Sequence, residues 1–116
     1  MSSAELGPID IRRRSVARAP SHLREPGRSL WKAILSEFEL TSSAQLTQLL
    51  IAAEQQDLLE DCRAQLDEDG RFILNRFGQT IAHPAIEVQE RASRLQLAAL
   101  RALELDVHDA LKRYAR

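Results

Sequence analysis

The chain is poor in aromatic residues, has one cysteine, four glycines and four prolines in 116 positions, and lacks a long apolar run. With aromatics at 4% against 44% apolar residues, the core has to be built from Leu, Ala and Ile. Those residues favour helices, whereas sheets draw on aromatic and β-branched side chains. The lone Cys62 cannot close an intrachain disulfide, which suits a reducing compartment. No stretch approaches the ~20 apolar residues of a membrane span, and the polar N-terminus lacks the apolar centre of a signal peptide. A cytoplasmic, non-membrane protein is expected. Glycines at 7, 27, 70 and 78 are too scattered for a phosphate-cradling loop of the P-loop or dinucleotide type. The length suits one domain with an ordinary core.

What is present is unevenly charged. Residues 1–35 hold seven bases against three acids, residues 36–69 nine acids against Arg63 alone, and residues 70–116 eight bases against five acids. The net charge of −1 therefore conceals a basic–acidic–basic division, which points to different faces for different partners.

Residues 1–25 show no helical periodicity and read as a flexible basic arm, ordered only where it docks, with Leu23 as the docking point. Residues 26–116 read as a helical core that also serves oligomerisation. Pro26 suits a first helical turn, and Leu30, Trp31, Ile34, Leu35 and Phe38 make one apolar stripe over a helix at 27–39. Ser42 with Gln45 three residues on is a capping-box pattern, and it opens a long helix over 43–67. Leu46, Leu49, Leu50 and Ala53 form its stripe, continued by Leu58 or Leu59, Cys62 and Leu66. Asp57 falls close to that apolar line, so it either reaches solvent or finds a partner such as an arginine.

Gly70 ends the long helix. In "RFILNRFGQTIAHP", two short strands around a turn at 76–79 compete with an irregular extended loop. Pro84 opens a third helix over 85–104, with a heptad-like seam of Ala85, Val88, Ala92, Leu95, Ala99 and Ala102 or Leu103. A second apolar row widens its C-terminal half. Ile86, Leu97, Leu100 and Leu103 are accordingly the candidate oligomer interface. A short fourth helix over 106–115 is expected to start at Asp106 and end basic. The expected fold is mainly α: three to four helices, a long central one, and a possible short β-hairpin between the second and third main helices.

The residues give no support to catalysis. His22, His83, His108 and Cys62 show none of the spacings of a metal site, so no metal and no cofactor are expected. No nucleophile motif occurs, and Cys62 on an apolar helix side reads as a packed thiol. His83 precedes Pro84, which pushes it into extended geometry, where its ring can cover or hydrogen-bond the first turn of the following helix. The strongest candidate contact is the arm "IRRRSVAR", whose arginines can reach phosphates and release counterions. A solubilising tail is the bland counterpart. The break between the first two helices lacks the glycine turn of a helix-turn-helix, and no recognition helix follows.

One ordered string of residues goes further. Pro20-Ser21-His22-Leu23, Trp31 eight residues later, Glu54 and Asp57 on the long helix, Leu66, Gly70, Gly78, His83-Pro84-Ala85 and "LQLAALRALEL" resemble the small terminase subunit of tailed bacteriophages, a family broadly distributed among phages and prophages. The resemblance covers roughly residues 20–105. It implies a non-catalytic subunit that binds double-stranded phage DNA and assembles into a ring-like homo-oligomer in the host cytoplasm. It further implies presentation of that DNA to the large subunit, which carries ATPase and nuclease. Candidate DNA-binding residues are Arg12, Arg13, Arg14, Arg18, Arg28 and Lys32. Where the family usually has a Gly-Leu-Thr-Pro turn, this chain reads Leu105-Asp106-Val107-His108, and it stops soon after, which puts motor engagement by the tail in question. The alternative is a small helical protein-interaction adaptor that does not bind DNA.

Overall fold

The structure, a computed structural model, describes residues 17–114, with side chains described as far as Leu103. The chain runs α1 (Glu25–Glu37), α2 (Ser43–Asp69), β1 (Phe72–Leu74), β2 (Thr80–Ala82) and α3 (Pro84–Tyr114). The mainly helical fold with a hairpin between the second and third helices is as expected from the sequence.

Local chemistry sets each boundary. Pro26 lies in the first turn of α1, where a missing N–H costs nothing, so the helix starts at Glu25 and not at 27. Ser42 caps α2 as its sequence pattern predicts. Its Oγ accepts the Gln45 N–H at 3.1 Å while Gln45 Oε1 accepts the Ser42 N–H at 3.2 Å, which satisfies donors the helix itself cannot. At the far end the Gly70 N–H donates to the Leu66 carbonyl at 2.7 Å, and Gly70 has φ +83°, a region that favours glycine.

β1 and β2 pair antiparallel with Phe72 opposite Ala82, Ile73 opposite Ile81 and Leu74 opposite Thr80. The turn is locked by Asn75, whose Oδ1 accepts the N–H groups of Phe77 at 2.8 Å and Gln79 at 2.9 Å. Gly78 follows with φ +79°. An asparagine side chain that accepts from backbone N–H groups further along the loop, here two and four residues on, is a common way to make such a turn.

The separate fourth helix expected at 106–115 does not form as such; α3 is one helix from Pro84 to Tyr114. No glycine or proline occurs after Pro84, and propagating an existing helix is easier than nucleating a new one. Asp106 therefore starts nothing.

α2 and α3 pack antiparallel as the main pair, and α1 packs on the first half of α2. Leu23, Trp31, Leu40, Leu49, Ala53 and Leu103 form the core cluster. Leu23, Leu40 and Leu49 are essentially inaccessible, and burying each contributes roughly 1.5–3 kcal/mol. Ala52, Leu59, Cys62 and Leu66 of α2 and Ala92 and Ala99 of α3 are also buried, alanines that let helix axes approach closely.

The seam of α3 holds at Ala92, Ala99 and Leu103, which are buried, and departs from the expected one at Leu95. Leu95 is half exposed, and the inward position goes to Gln96, whose Nε2 donates to the Ala52 carbonyl at 3.2 Å and to Gln56 Oε1 at 2.7 Å. A polar side chain holding α2 to α3 displaces the leucine. On α2, Leu59 is the buried member of the Leu58–Leu59 pair and Leu58 stays exposed.

Candidate functional site

The site is built on how α2 positions the start of α1. Arg24, the residue before α1, makes no side-chain cap, so the first N–H groups of the helix need a partner from elsewhere. Asp57 supplies it. Its Oδ2 accepts the Arg24 N–H at 2.8 Å and its Oδ1 accepts the Gly27 N–H at 2.7 Å. The carboxylate is buried, and its charge faces the positive end of the helix dipole. Of the sequence alternatives for Asp57, solvent or a partner such as an arginine, the second holds, with the backbone N–H groups of Arg24 and Gly27 as the partners. The approach is so close that a Cβ on Gly27 would lie 2.7 Å from the Ala53 carbonyl oxygen and 2.9 Å from Asp57 Oδ2.

An ion pair and a histidine–carboxylate contact flank this clasp. Arg24 Nη2 donates to Asp61 Oδ2 at 2.6 Å and to the Asp57 carbonyl at 3.3 Å. The hydrogen bond from Arg24 holds the Asp61 carboxyl below its ordinary range, and the same bond raises the guanidinium. His22 Nε2 lies 2.8 Å from Glu54 Oε2. Together His22, Arg24, Glu54, Asp57, Leu58 and Asp61 line a shallow, acid-rich cleft.

The clasp also fixes the orientation of the cationic side of α1. Arg24, Arg28 and Lys32 stand four residues apart on one ridge. Arg24 is drawn to Asp61. Arg28 donates to the Ser21 carbonyl at 3.2 Å and Lys32 is exposed. Lys32 and Arg18 line one groove together with Ala17, Ala19, Trp31, Leu35 and Ser36. The chain reaches the groove because Trp31 Nε1–H donates to the Ala17 carbonyl at 3.1 Å and Leu23 is buried in the core. Of the candidate DNA-binding residues, the structure thus brings Arg18 and Lys32 to one place, with Arg28 one turn away. Arg12, Arg13 and Arg14 lie outside the described residues.

The candidate interface residues separate. Leu103 is buried in the protomer's own core and Leu100 packs against it. Leu103 is therefore core, because α3 crosses the Leu23–Trp31 cluster at that point, and it offers no surface to a second copy. Ile86 is half-buried and Leu97 is 48% exposed.

A second junction lies at His83. Its Nδ1 accepts the Ala85 N–H at 2.9 Å, and its Nε2 lies 2.9 Å from Asp69 Oδ2. With Nδ1 an acceptor, Nε2 must carry the proton donated to Asp69. The His83 N–H also donates to the Arg71 carbonyl at 2.8 Å. His83 thus ties the end of α2, the start of the hairpin and the first turn of α3. This is the helix-start role read from His83-Pro84. Hydrogen bonds from Gln65 and then His83 keep the Asp69 carboxyl below its ordinary range.

Among the described residues no group of three or more His, Cys, Asp or Glu is placed to hold a metal ion. Burial, and next the Asp61 charge, push the Cys62 thiol up, the opposite of what a nucleophilic thiolate needs. No described helix is long and apolar enough to cross a membrane.

Sequence reasoning missed two features. The uncapped Arg24-Glu25-Pro26-Gly27 start signals a cap supplied from a distance, and "FIL" and "TIA" carry apolar residues on both faces of the hairpin. No family model matches this chain, and neither a curated protein nor a solved structure does.

Proposed function

We propose that the protein is the non-catalytic DNA-recognition subunit of a phage genome-packaging terminase. In this reading it works in the host cytoplasm as a ring-like homo-oligomer, binds double-stranded phage DNA and presents it to the large ATPase/nuclease subunit. The resemblance of residues 20–105 to the small terminase subunit supplies the family. Its residues fall at constrained positions: Leu23 and Trp31 are core, Asp57 clasps α1, Gly70 and Gly78 have positive φ, and His83 starts α3.

The observation that carries the DNA half is the cationic corner. Arg18, Arg28 and Lys32 are exposed, and among the described residues none of them forms an ion pair with a carboxylate. They stand where the chain leads back to Arg12, Arg13 and Arg14. Cations left unneutralised in one corner suit a phosphate backbone.

Titrating a labelled duplex at several salt concentrations tests it. With four to six phosphates engaged, log K against log salt should slope at about −4 to −5, because each contact contributes roughly 0.9. Replacing Arg12, Arg13 and Arg14 by Ala should flatten the slope by about 3, and Lys32→Ala by about 1. A chain that ignores duplex DNA in dilute buffer is better read as a protein-interaction adaptor, its acidic α2 serving a basic partner.

A further inference from the structure

The hairpin leaves its largest apolar residues more exposed than any other described part of the chain. Phe72 is 67% exposed, Leu74 69% and Phe77 73%. The register places Phe72, Leu74 and Ala82 on one face and Ile73 and Ile81 on the other. Antiparallel strands usually turn polar residues to water on one side, and these do not. The hairpin also packs chiefly on itself and not across a helix. Two strands alone are marginal in water, and clustered exposed apolar side chains mark a contact surface.

The charge around it narrows the partner. Residues 70–86 contain Arg71 and Arg76 and no acid, and the Arg76 guanidinium lies 5.1 Å over the Phe77 ring. The tip is therefore a basic, apolar knob. A twin hairpin would bring like charges together. The matching surface is the cleft on α2, where the carboxylates of Glu54, Asp57 and Asp61 outnumber the guanidinium of Arg24, with His22 against Glu54 and Asp57 buried under the start of α1, and where Leu58 is an exposed leucine. Leu58 lies twelve residues before Gly70, about 18 Å along the helix at ~1.5 Å per residue. Knob and cleft are separate surfaces of one protomer, so copies can join head to tail, the geometry that closes into rings.

We infer that the hairpin of one protomer, through Phe72 and Leu74 on one face and Arg76 and Phe77 at its tip, docks into the acid-rimmed cleft around Leu58 of a second copy. The inference rests on the oligomeric half of the function proposed above and names the two surfaces involved.

Light scattering and sedimentation of the full chain test it with two variants at exposed sites, Phe77→Asp on the knob and Leu58→Asp in the cleft, each checked for unchanged helical circular dichroism. Wild type is expected at several times the 13.1 kDa protomer mass, and each variant alone at a single protomer. An equimolar mixture of the two should give about twice the protomer mass and nothing larger, because only one intact knob and one intact cleft remain. Leu74→Asp should behave as Phe77→Asp. A Phe77→Asp protein that keeps the wild-type mass overturns the inference and leaves the ring reading standing. So does one that keeps its mass but loses DNA, which makes the hairpin a nucleic-acid contact. A Leu58→Asp protein that stays oligomeric while Phe77→Asp does not shows hairpins pairing with each other, again overturning it. A wild type that is a monomer at high concentration removes the ring reading, and the inference with it.

Discussion

Two carboxylates on α2 each set the start of a neighbouring helix, and they do so in different surroundings. Asp57 is buried and accepts the Arg24 and Gly27 N–H groups of α1 directly. Asp69 is exposed and acts at one remove, through His83, whose other ring nitrogen accepts the Ala85 N–H of α3. The contacts are of similar length, but only Asp57 puts a carboxylate directly on helix N–H groups. The water around the two carboxylates differs as well, and both differences decide how much each is worth. A buried polar group stripped of its partner keeps its desolvation penalty, whereas an exposed one is resolvated.

The largest effect should come from Asp57→Ala. Two charge-assisted hydrogen bonds to backbone N–H groups disappear and those donors stay covered, at a cost of about 3 kcal/mol. Urea unfolding followed by circular dichroism would register this as a lower midpoint with little change in slope. Asp57→Asn should recover less than half, since its NH₂ faces a backbone N–H where an acceptor is needed. A loss below about 1 kcal/mol would place Asp57 with Asp69 and end the distinction.

Gly27→Ala comes next. Alanine is the better helix former by about 1 kcal/mol, but the added methyl meets the Ala53 carbonyl oxygen at 2.7 Å, and backbone yields poorly. A net loss of about 1–2 kcal/mol is expected. Because the same methyl also crowds Asp57 Oδ2, Gly27→Ala and Asp57→Ala combined should cost less than their sum, as contacting residues do. Strict additivity would show that Gly27 and Asp57 act separately.

Much of this frame is legible in the residues, and the gaps have physical reasons. The capping box at Ser42, the glycine end at Gly70 and the His83-Pro84 start are local signals, set within four residues, and each is where the sequence puts it. The hairpin was one of two readings because three-residue strands carry too little alternation to exclude a loop. The clasp at Asp57 joins residues thirty or more apart, and periodicity could mark its position but not its partner. Leu95 and Leu103 show the same limit. A stripe says which residues share a helix face, but Gln96 reaching for α2 takes the place of Leu95 in the seam, and the packing of α3 against Leu23 and Trp31 settles Leu103, legible both as seam and as interface, as core. The candidate site is less legible still, because Arg24 joins the α1 ridge in sequence and leaves it in space for Asp61.

His83→Ala should lower stability by about 1 kcal/mol, the usual value of a lost helix cap, measurable in the same urea experiment. It should leave the zinc content of the purified protein at zero. His83→Asn, with an amide oxygen in place of Nδ1 as acceptor for the Ala85 N–H, should restore part of the loss. Stoichiometric zinc, or a His83→Ala protein as damaged as Asp57→Ala, would contradict the view that this junction is a helix cap held by an exposed carboxylate.

The smallest effect belongs to Asp69 itself, and its sign follows from the direction of its shift. Hydrogen bonds from Gln65 and His83 lower the Asp69 carboxyl in the folded chain, so the folded state binds its proton less readily than the unfolded state does. The stabilisation it brings is then fully present above the ordinary carboxylate range, near pH 4, and is lost as the pH falls through the lowered folded value. Asp61, lowered by Arg24, adds a parallel contribution in the same window. Asp69→Asn should therefore flatten the acid limb of a stability-against-pH curve slightly and lower its height near pH 7 by the same small amount, because the carboxylate is solvated and screened. At the α1 junction the equivalent change is expected to lower the curve at neutral pH far more. Should Asp69→Asn depress stability near pH 7 as strongly as Asp57→Asn, burial would not be the variable that separates the two junctions.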